Sequence, residues 1–255
     1  MVSNSILSDF EILGFRWDRS NFPEDIPTRS VRRACFPLRR AIPEVAWSLL
    51  RLDESPISYP EVMTLASGVT IGGRRLEDVQ EAISLITAIR KLLDLCEQQK
   101  FSLGKHCFCV LHAEVSKDST LDPGVFRGEG EFSLGVSPKI RLNNGQTYRP
   151  LAVKQGGDSL SLIFSNGLSH IGNLPPFQRA LVFFLFASFQ MFFLNRNKRT
   201  AYLMMNGKLM SQGFDPLILT AEALEEFKAL LLEFYESKDG TNLLFYLGKL
   251  HKNTL

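Results

Sequence analysis

Ala180 to Leu194 is a run of fifteen mostly apolar residues, broken only by Ser188 and Gln190 and preceded by Arg179. It is shorter than the roughly 20 residues that cross a bilayer, so it reads as a buried helix opened by Pro175-Pro176. A helix apolar on nearly all faces belongs at the centre of a bundle. The rest of the chain must therefore supply helices to cover it, and the residues after Leu194 start at the end of the most buried element.

Those residues are Asn195-Arg196-Asn197-Lys198-Arg199 and then Thr200-Ala201-Tyr202-Leu203-Met204-Met205, good helix formers after a basic turn. Three cations thus gather at a helix start. Unpaired backbone N–H groups and the positive end of the macrodipole disfavour cations there by about 0.3–1 kcal/mol each when exposed. A phosphate would turn that repulsion into attraction through the N–H groups, the Lys198 ammonium and the Arg199 fork. A solvated turn with splayed side chains satisfies the same pattern, and charge placement alone leaves both readings open.

The chain has 255 residues, 45% hydrophobic and 22% charged, with a net charge of +2. That size and balance describe one globular domain, with or without a helical appendage. The charge is too small to imply nucleic acid or an anionic membrane, and neither is expected as a partner. Met1 to Trp17 has no basic n-region and no continuous apolar stretch, and it carries Asp9 and Glu11, so no secretory signal is read there. Four cysteines, Cys35, Cys96, Cys107 and Cys109, are too few for a disulfide framework. A cytoplasmic setting is expected, which also fits an effector delivered into another cell's cytosol.

Taken in order, residues 1–30 read as irregular, with Pro23 and Pro27 blocking a long helix. Arg29, Arg32, Arg33, Arg39 and Arg40 read as a solvated surface around a helix start rather than a patch for an acidic partner. Helices are expected from Pro43 to Leu52 and after Ser58, where Glu61 completes a capping box. Arg75 to Glu97 is the longest amphipathic helix, with Leu76, Val79, Ile83, Ile86, Leu93 and Cys96 on its apolar stripe. Another covers Leu103 to Val115, and Asp122-Pro123-Gly124 turns the chain. The alternation in Ser159-Leu160-Ser161-Leu162-Ile163-Phe164, then Asn166-Gly167, predicts a β-hairpin returning through Leu168–Ile171. The helix from the basic turn ends near Gly213. Thr220 caps a helix carrying Ala223, Leu224, Phe227, Leu230 and Leu231, and Asn242 to His251 closes the chain. Lys105-His106-Cys107-Phe108-Cys109 with His112 has no zinc spacing and reads as buried cysteines beside satisfied histidines.

The basic turn resembles the signature of the Fic (Fido) family, His-x-Phe-x-Asp/Glu-Gly-Asn-Gly/Lys-Arg followed by Thr-Ala. Phe193, Asn197, Lys198, Arg199 and Thr200-Ala201 match it. Met191 stands at the catalytic His position, Asn195 at the magnesium-binding acid and Arg196 at a Gly. Ser58-Tyr59-Pro60-Glu61-Val62 with Gly68 to Leu76 looks like the entry to the family's long first helix. Leu111-His112 is similar to its Leu-His motif, and Pro123-Gly124-Val125-Phe126-Arg127 to its Pro-Gly-x-Tyr/Phe-Arg turn. The resemblance covers residues 43 to 235. It divides the chain into a basic segment 1–42, a Fic-like domain 43–235 and a C-terminal helix 236–255. The fold it implies is mostly α, a Fic-like helical bundle with a small β-hairpin flap.

The implied chemistry is transfer of a nucleotide monophosphate, usually AMP from ATP with magnesium, to a hydroxyl of a target protein. Asn195, Arg196, Asn197, Lys198 and Arg199 would hold the nucleotide phosphates, and Asn195 is a weak candidate for the metal. The flap, read as Leu162, Ile163, Asn166, Gly167 and His170, would dock the target by strand addition. Met191 accepts no proton, and losing a positioned general base removes about 10²–10⁴-fold in rate. His170 is the one nearby substitute, and it reads first as an exposed hairpin histidine. The expected function is a transfer-impaired Fic-like protein acting through a protein partner and binding nucleotide or phosphate. The alternative is a working AMP-transferase, or a protein kinase like the Doc branch, with a non-standard base. Leu49 to Glu54 departs from the family's inhibitory pattern. Asp53 and Glu54 there read as ordinary helix-end acids, with pairing to Arg199 as the other reading.

Overall fold

The computed structural model describes residues 8–20, 22, 26–117, 121–131 and 137–253. Pro23, one of the two prolines expected to break the N-terminal segment, lies outside them. The described residues form eleven α-helices and one two-stranded antiparallel sheet. Their order is α1 (Asp9–Leu13), α2 (Val31–Arg40), α3 (Ile42–Arg51), α4 (Tyr59–Ala66), α5 (Leu76–Glu97), α6 (Lys105–Val115), β1 (Ile140–Arg141), β2 (Thr147–Tyr148), α7 (Ser159–Ile171), α8 (Pro176–Gln190), α9 (Asn197–Ser211), α10 (Ala221–Ser237) and α11 (Thr241–Asn253). None of the helices is long and apolar enough to cross a membrane.

α8 is the centre of the molecule, as its composition requires. From Ala180 to Phe189 every residue is buried, and α9 packs along it. Phe108 of α6 sits in a nest of rings formed by Phe126, Phe164, Phe183, Phe192 and Phe193, with centroids 4.7–6.0 Å away. Four of these pairs are edge-on and the one with Phe164 is stacked, and aromatic pairs of either kind add to the area term of burial. The segment after α1 meets the turn between α10 and α11, where Arg16 donates its N–H to Lys238 O and Gly240 donates to Arg16 O.

Helix limits set by local chemistry fall where the sequence places them. Ser58 and Glu61 form the capping box of α4, and Thr220 accepts from the Ala223 N–H at the start of α10. Two local expectations are corrected. Residues 1–30 are not wholly irregular, because Ser8 and Glu11 build a capping box that starts α1. The α5 stripe is rotated, since Leu76 and Ile83 are exposed while Leu85, Ile89 and Leu92 are buried with Ile86, Leu93 and Cys96. α5 packs on α2, α3, α6 and α9, so its inward face is decided by several neighbours at once.

The hairpin is present but elsewhere. Its strands pair Ile140 with Tyr148 and Arg141 with Thr147 across a turn containing Asn144-Gly145, where Gly145 has φ +81°. Leu162, Ile163, Asn166, Gly167 and His170 lie on α7 instead. Leu160, Phe164, Gly167 and Ile171 are its buried face, spaced four, three and four residues apart, which is a helical stripe that the Ser-Leu alternation masks. Gly167 costs helix propensity, about 1 kcal/mol relative to Ala, yet a Cβ there would collide with the Phe186 ring. Its glycine serves the approach of α7 to α8 rather than a turn. Gly167→Ala is therefore expected to destabilise the protein by about 1–3 kcal/mol through overpacking, measured by urea unfolding. An unchanged or raised midpoint would show that the ring has room to move.

Candidate functional site

The site is built where α8 ends. Met191 takes left-handed backbone (φ 48°, ψ 69°) and donates its N–H to Ala187 O, stopping the helix. Phe192 and Phe193 then turn into the aromatic nest. The Asn197 amide closes the loop on itself: Oδ1 accepts the Phe193 N–H at 2.9 Å and Nδ2 donates to Phe193 O at 2.8 Å. Arg196, the residue before α9, is also left-handed at φ 53°. Non-glycine residues hold that region at a cost of about 1–3 kcal/mol, so the surrounding contacts must fix the turn firmly.

Two side chains do that from outside. Arg127, 1% exposed, donates from Nε to Met191 O at 2.6 Å and from its other nitrogens to Leu151 O and Gln190 O. These include carbonyls that the end of α8 leaves unpaired. Burial pushes the guanidinium down to about 10. His112 of α6 stacks on Phe193 with centroids 3.7 Å apart. Gly124 donates its N–H to His112 Nδ1 at 2.9 Å, so Nε2 carries the proton and donates to Asn195 O at 3.2 Å. Burial depresses the imidazole to about 3, the Arg196 charge adding to it against the Asn195 bond. The sequence points to His112 and Arg127 through their motifs; the structure shows both holding the basic turn in place.

The cations of the turn meet carboxylates from two other parts of the chain. Arg199 is completely buried, with Nε 2.9 Å from Asp53 Oδ2 and Nη1 donating to Glu81 Oε1 at 2.6 Å. Lys198 Nζ lies 2.8 Å from Asp53 Oδ1, and Arg196 Nη1 pairs with the same Glu81 oxygen. Burial raises the Asp53 carboxyl, but the Arg199, Lys198 and Arg196 charges outweigh it and hold the group below its ordinary value. Burial, with Arg199 beside it, lowers Arg196. The ordinary helix-end reading of Asp53 is thus corrected, because the turn after α3 points its carboxylate at the cations. Glu81 escaped the sequence reading altogether. It sits on the polar side of α5, where one glutamate looks like any other.

Several polar atoms here are buried and without a hydrogen-bond partner: Arg199 Nη2, Arg196 Nε and the Asn195 side-chain oxygen. The two N–H donors suit an anion. Around Asp53 open cavities of about 410, 280 and 560 Å³. Ile140 and Arg141 of β1 border the first beside Lys198, so the real hairpin stands over the basic turn. Tyr148 anchors it by donating to Phe189 O at 2.8 Å.

Of the expected phosphate ligands, the structure brings Arg196, Lys198 and Arg199 together around two carboxylates. Asn197 spends its amide on the loop. Asn195 offers one neutral oxygen, a poor donor set for resident magnesium, which prefers anionic oxygens, and Asp53 and Glu81 are already tied to cations. His170 is half-buried on α7, 2.6 Å from Asp9 on α1, and takes no part in the turn. No group of three or more His, Cys, Asp or Glu able to hold a metal occurs among the described residues.

No protein-family model matches the sequence, and no curated protein matches it. Solved structures do. A Fic-domain-containing signalling protein from Bacteroides thetaiotaomicron superposes with a TM-score of 0.66 at 15% identity, over 89% of this chain and 87% of that one. A Fic family protein from Desulfovibrio desulfuricans gives 0.64 at 12% identity, over 87% of this chain and 63% of that one. Fic-1 from C. elegans gives 0.65 at 17% identity, over 88% and 69%. The chain therefore has the Fic fold.

Proposed function

We propose that this Fic-fold protein is impaired in nucleotidyl transfer and works by binding a protein partner, with its basic turn kept as an anion site that its own carboxylates occupy. The observation that carries this is Arg199, fully buried between Asp53 and Glu81. A nucleotide phosphate must take the place of a carboxylate to reach it. Asp53 is the one to give way, since its side chain is 28% exposed against 11% for Glu81. Met191, in the place of the signature's base, is 3% exposed and has no proton-accepting nitrogen. ATP, bringing its own magnesium, would meet Lys198, Arg199 and the unpartnered N–H of Arg196. The partner would add a strand along β1 or β2, the hairpin over the turn.

The test is calorimetric titration with MgATP, combined with transfer of a labelled nucleotide to lysate proteins. Wild type is expected to bind weakly and transfer nothing. Asp53→Ala should bind at least about tenfold more tightly, and Arg199→Ala should abolish binding in either background. Label transfer by the wild-type protein would make it a working transferase with a base other than residue 191. No measurable ATP binding by Asp53→Ala would remove the nucleotide and leave the partner-binding role alone.

A further inference from the structure

α2 borders none of the cavities around Asp53, yet it carries the run Arg32-Arg33-Ala34-Cys35-Phe36-Pro37-Leu38-Arg39-Arg40. Residues three and four apart are neighbours on a helix surface, so Phe36 has an arginine at all four of those places. Ala34, Cys35 and Leu38 face the core, while Phe36 is 56% exposed and the four arginines around it are exposed too. The Arg40 guanidinium stands over the Phe36 ring, 5.9 Å from its centroid, a cation–π contact. From Ile26 to Pro43 the sequence has five arginines and no carboxylate. Among the described residues only Arg29 and Arg39 of these five form ion pairs, with Asp215 at 3.1 Å and Glu97 at 2.7 Å.

Helix stability does not call for this arrangement. Arg39 and Arg40 suit the negative end of the helix dipole, but Arg32 and Arg33 stand in the first turn, where the dipole disfavours cations and no acidic residue offsets them. A solvated surface accounts for arginines, not for an exposed ring at their centre. We infer that this face docks an acidic helical segment of a partner protein, whose carboxylates flank an apolar residue that covers Phe36. The guanidinium fork grips a carboxylate with two bonds, which a lysine cannot do. Asp215 and Glu97 already show, within the chain, that arginines of this stretch accept side-chain carboxylates. Arg32 and Arg40 are about 12 Å apart along the axis, so carboxylates four residues to either side of the apolar one reach both. An anionic bilayer fits this face less well, because the apolar stripe of α2 is spent on the core and leaves one ring to insert. Glu97, at the edge of the patch, would also be pressed against the headgroups. The surface is distinct from β1 and β2 and stands whether or not the basic turn binds nucleotide.

The test is fluorescence anisotropy of a labelled alanine-based helical peptide with glutamates three and four residues to both sides of a central leucine, titrated with the full chain. Binding is expected, weaker at high salt. It should fall at least about tenfold in the double variant Arg32→Ala, Arg33→Ala and in Phe36→Ala, and stay unchanged in Lys91→Ala, an exposed cation of α5. A peptide with serine in place of the leucine should bind wild type at least about tenfold more weakly, a comparison that needs no variant to fold. Circular dichroism checks that the variants keep their helices. No binding of the leucine peptide, equal binding of the two peptides, or an equal loss in Lys91→Ala would overturn the proposal. Tighter binding to phosphatidylserine vesicles or to a DNA duplex, lost in the α2 variants, would overturn it too and assign the face to a membrane or to nucleic acid.

Discussion

Glu81→Ala is expected to cost about 3–5 kcal/mol of stability, because it leaves buried guanidinium groups with too few counter-charges. The Arg199 side chain is 1% exposed and that of Arg196 19%, and both pair with the same Glu81 oxygen. Asp53 could then offset only part of three positive charges next to the start of α9. The control is Glu225→Ala on α10, whose carboxylate is 80% exposed in its pair with Lys228; a surface pair of that sort is worth about 0–1 kcal/mol. Inorganic phosphate should stabilise Glu81→Ala more than wild type, since an anion that binds only the folded form adds stability by mass action. Thermal melts of the three proteins with and without phosphate decide the matter. If Glu81→Ala and Glu225→Ala unfold at the same temperature, Glu81 does not anchor the turn. If phosphate moves all three equally, the turn is not an anion site.

The second large effect is loss of stability in mild acid through His112. Its folded-state value of about 3 lies well below the ordinary 6.5. Between those two pH values the unfolded chain binds a proton that the folded chain refuses, so stability falls as pH drops from about 6.5 towards 3. The slope is about 1.4 kcal/mol per pH unit, amounting to about 5 kcal/mol over the whole window. Protonating Nδ1 would also break the bond it accepts from Gly124. His251, depressed by burial near Asp215, acts with the same sign. Asp53 adds a loss at lower pH, because its depressed carboxyl contributes stability that disappears as pH falls through its folded value. Urea midpoints of wild type and His112→Asn from pH 7.5 to 4 separate these contributions. The variant should start less stable and show the shallower decline. Parallel curves would mean that His112 titrates normally in the folded protein.

Local sequence chemistry determined much of this fold. Ser58 with Glu61, Thr220 with Ala223, the length and uniform greasiness of α8 and the helix formers after Arg199 each act within a few residues. Their consequences are legible without knowing what lies nearby. The helix formers after the basic turn also start α9 where they stand, and the turn's shape depends on Asn197 bonding four residues back to Phe193.

Tertiary structure decided what local chemistry left ambiguous. Asn144-Gly145 and Asn166-Gly167 carry the same hairpin signal, yet only the first turns a hairpin. The second is helical because Leu160, Phe164 and Ile171 bury one face on the core and Gly167 lets α7 close on Phe186. Nor could the chain order reveal that Glu81 and Asp53, 118 and 146 residues before Arg199, would converge on it. A carboxylate on the polar side of a helix satisfies the helix wherever it points. Only the packing of α5 and the turn after α3 against α9 makes Glu81 and Asp53 counter-ions to a buried arginine, because desolvating that charge requires partners that sequence spacing does not specify.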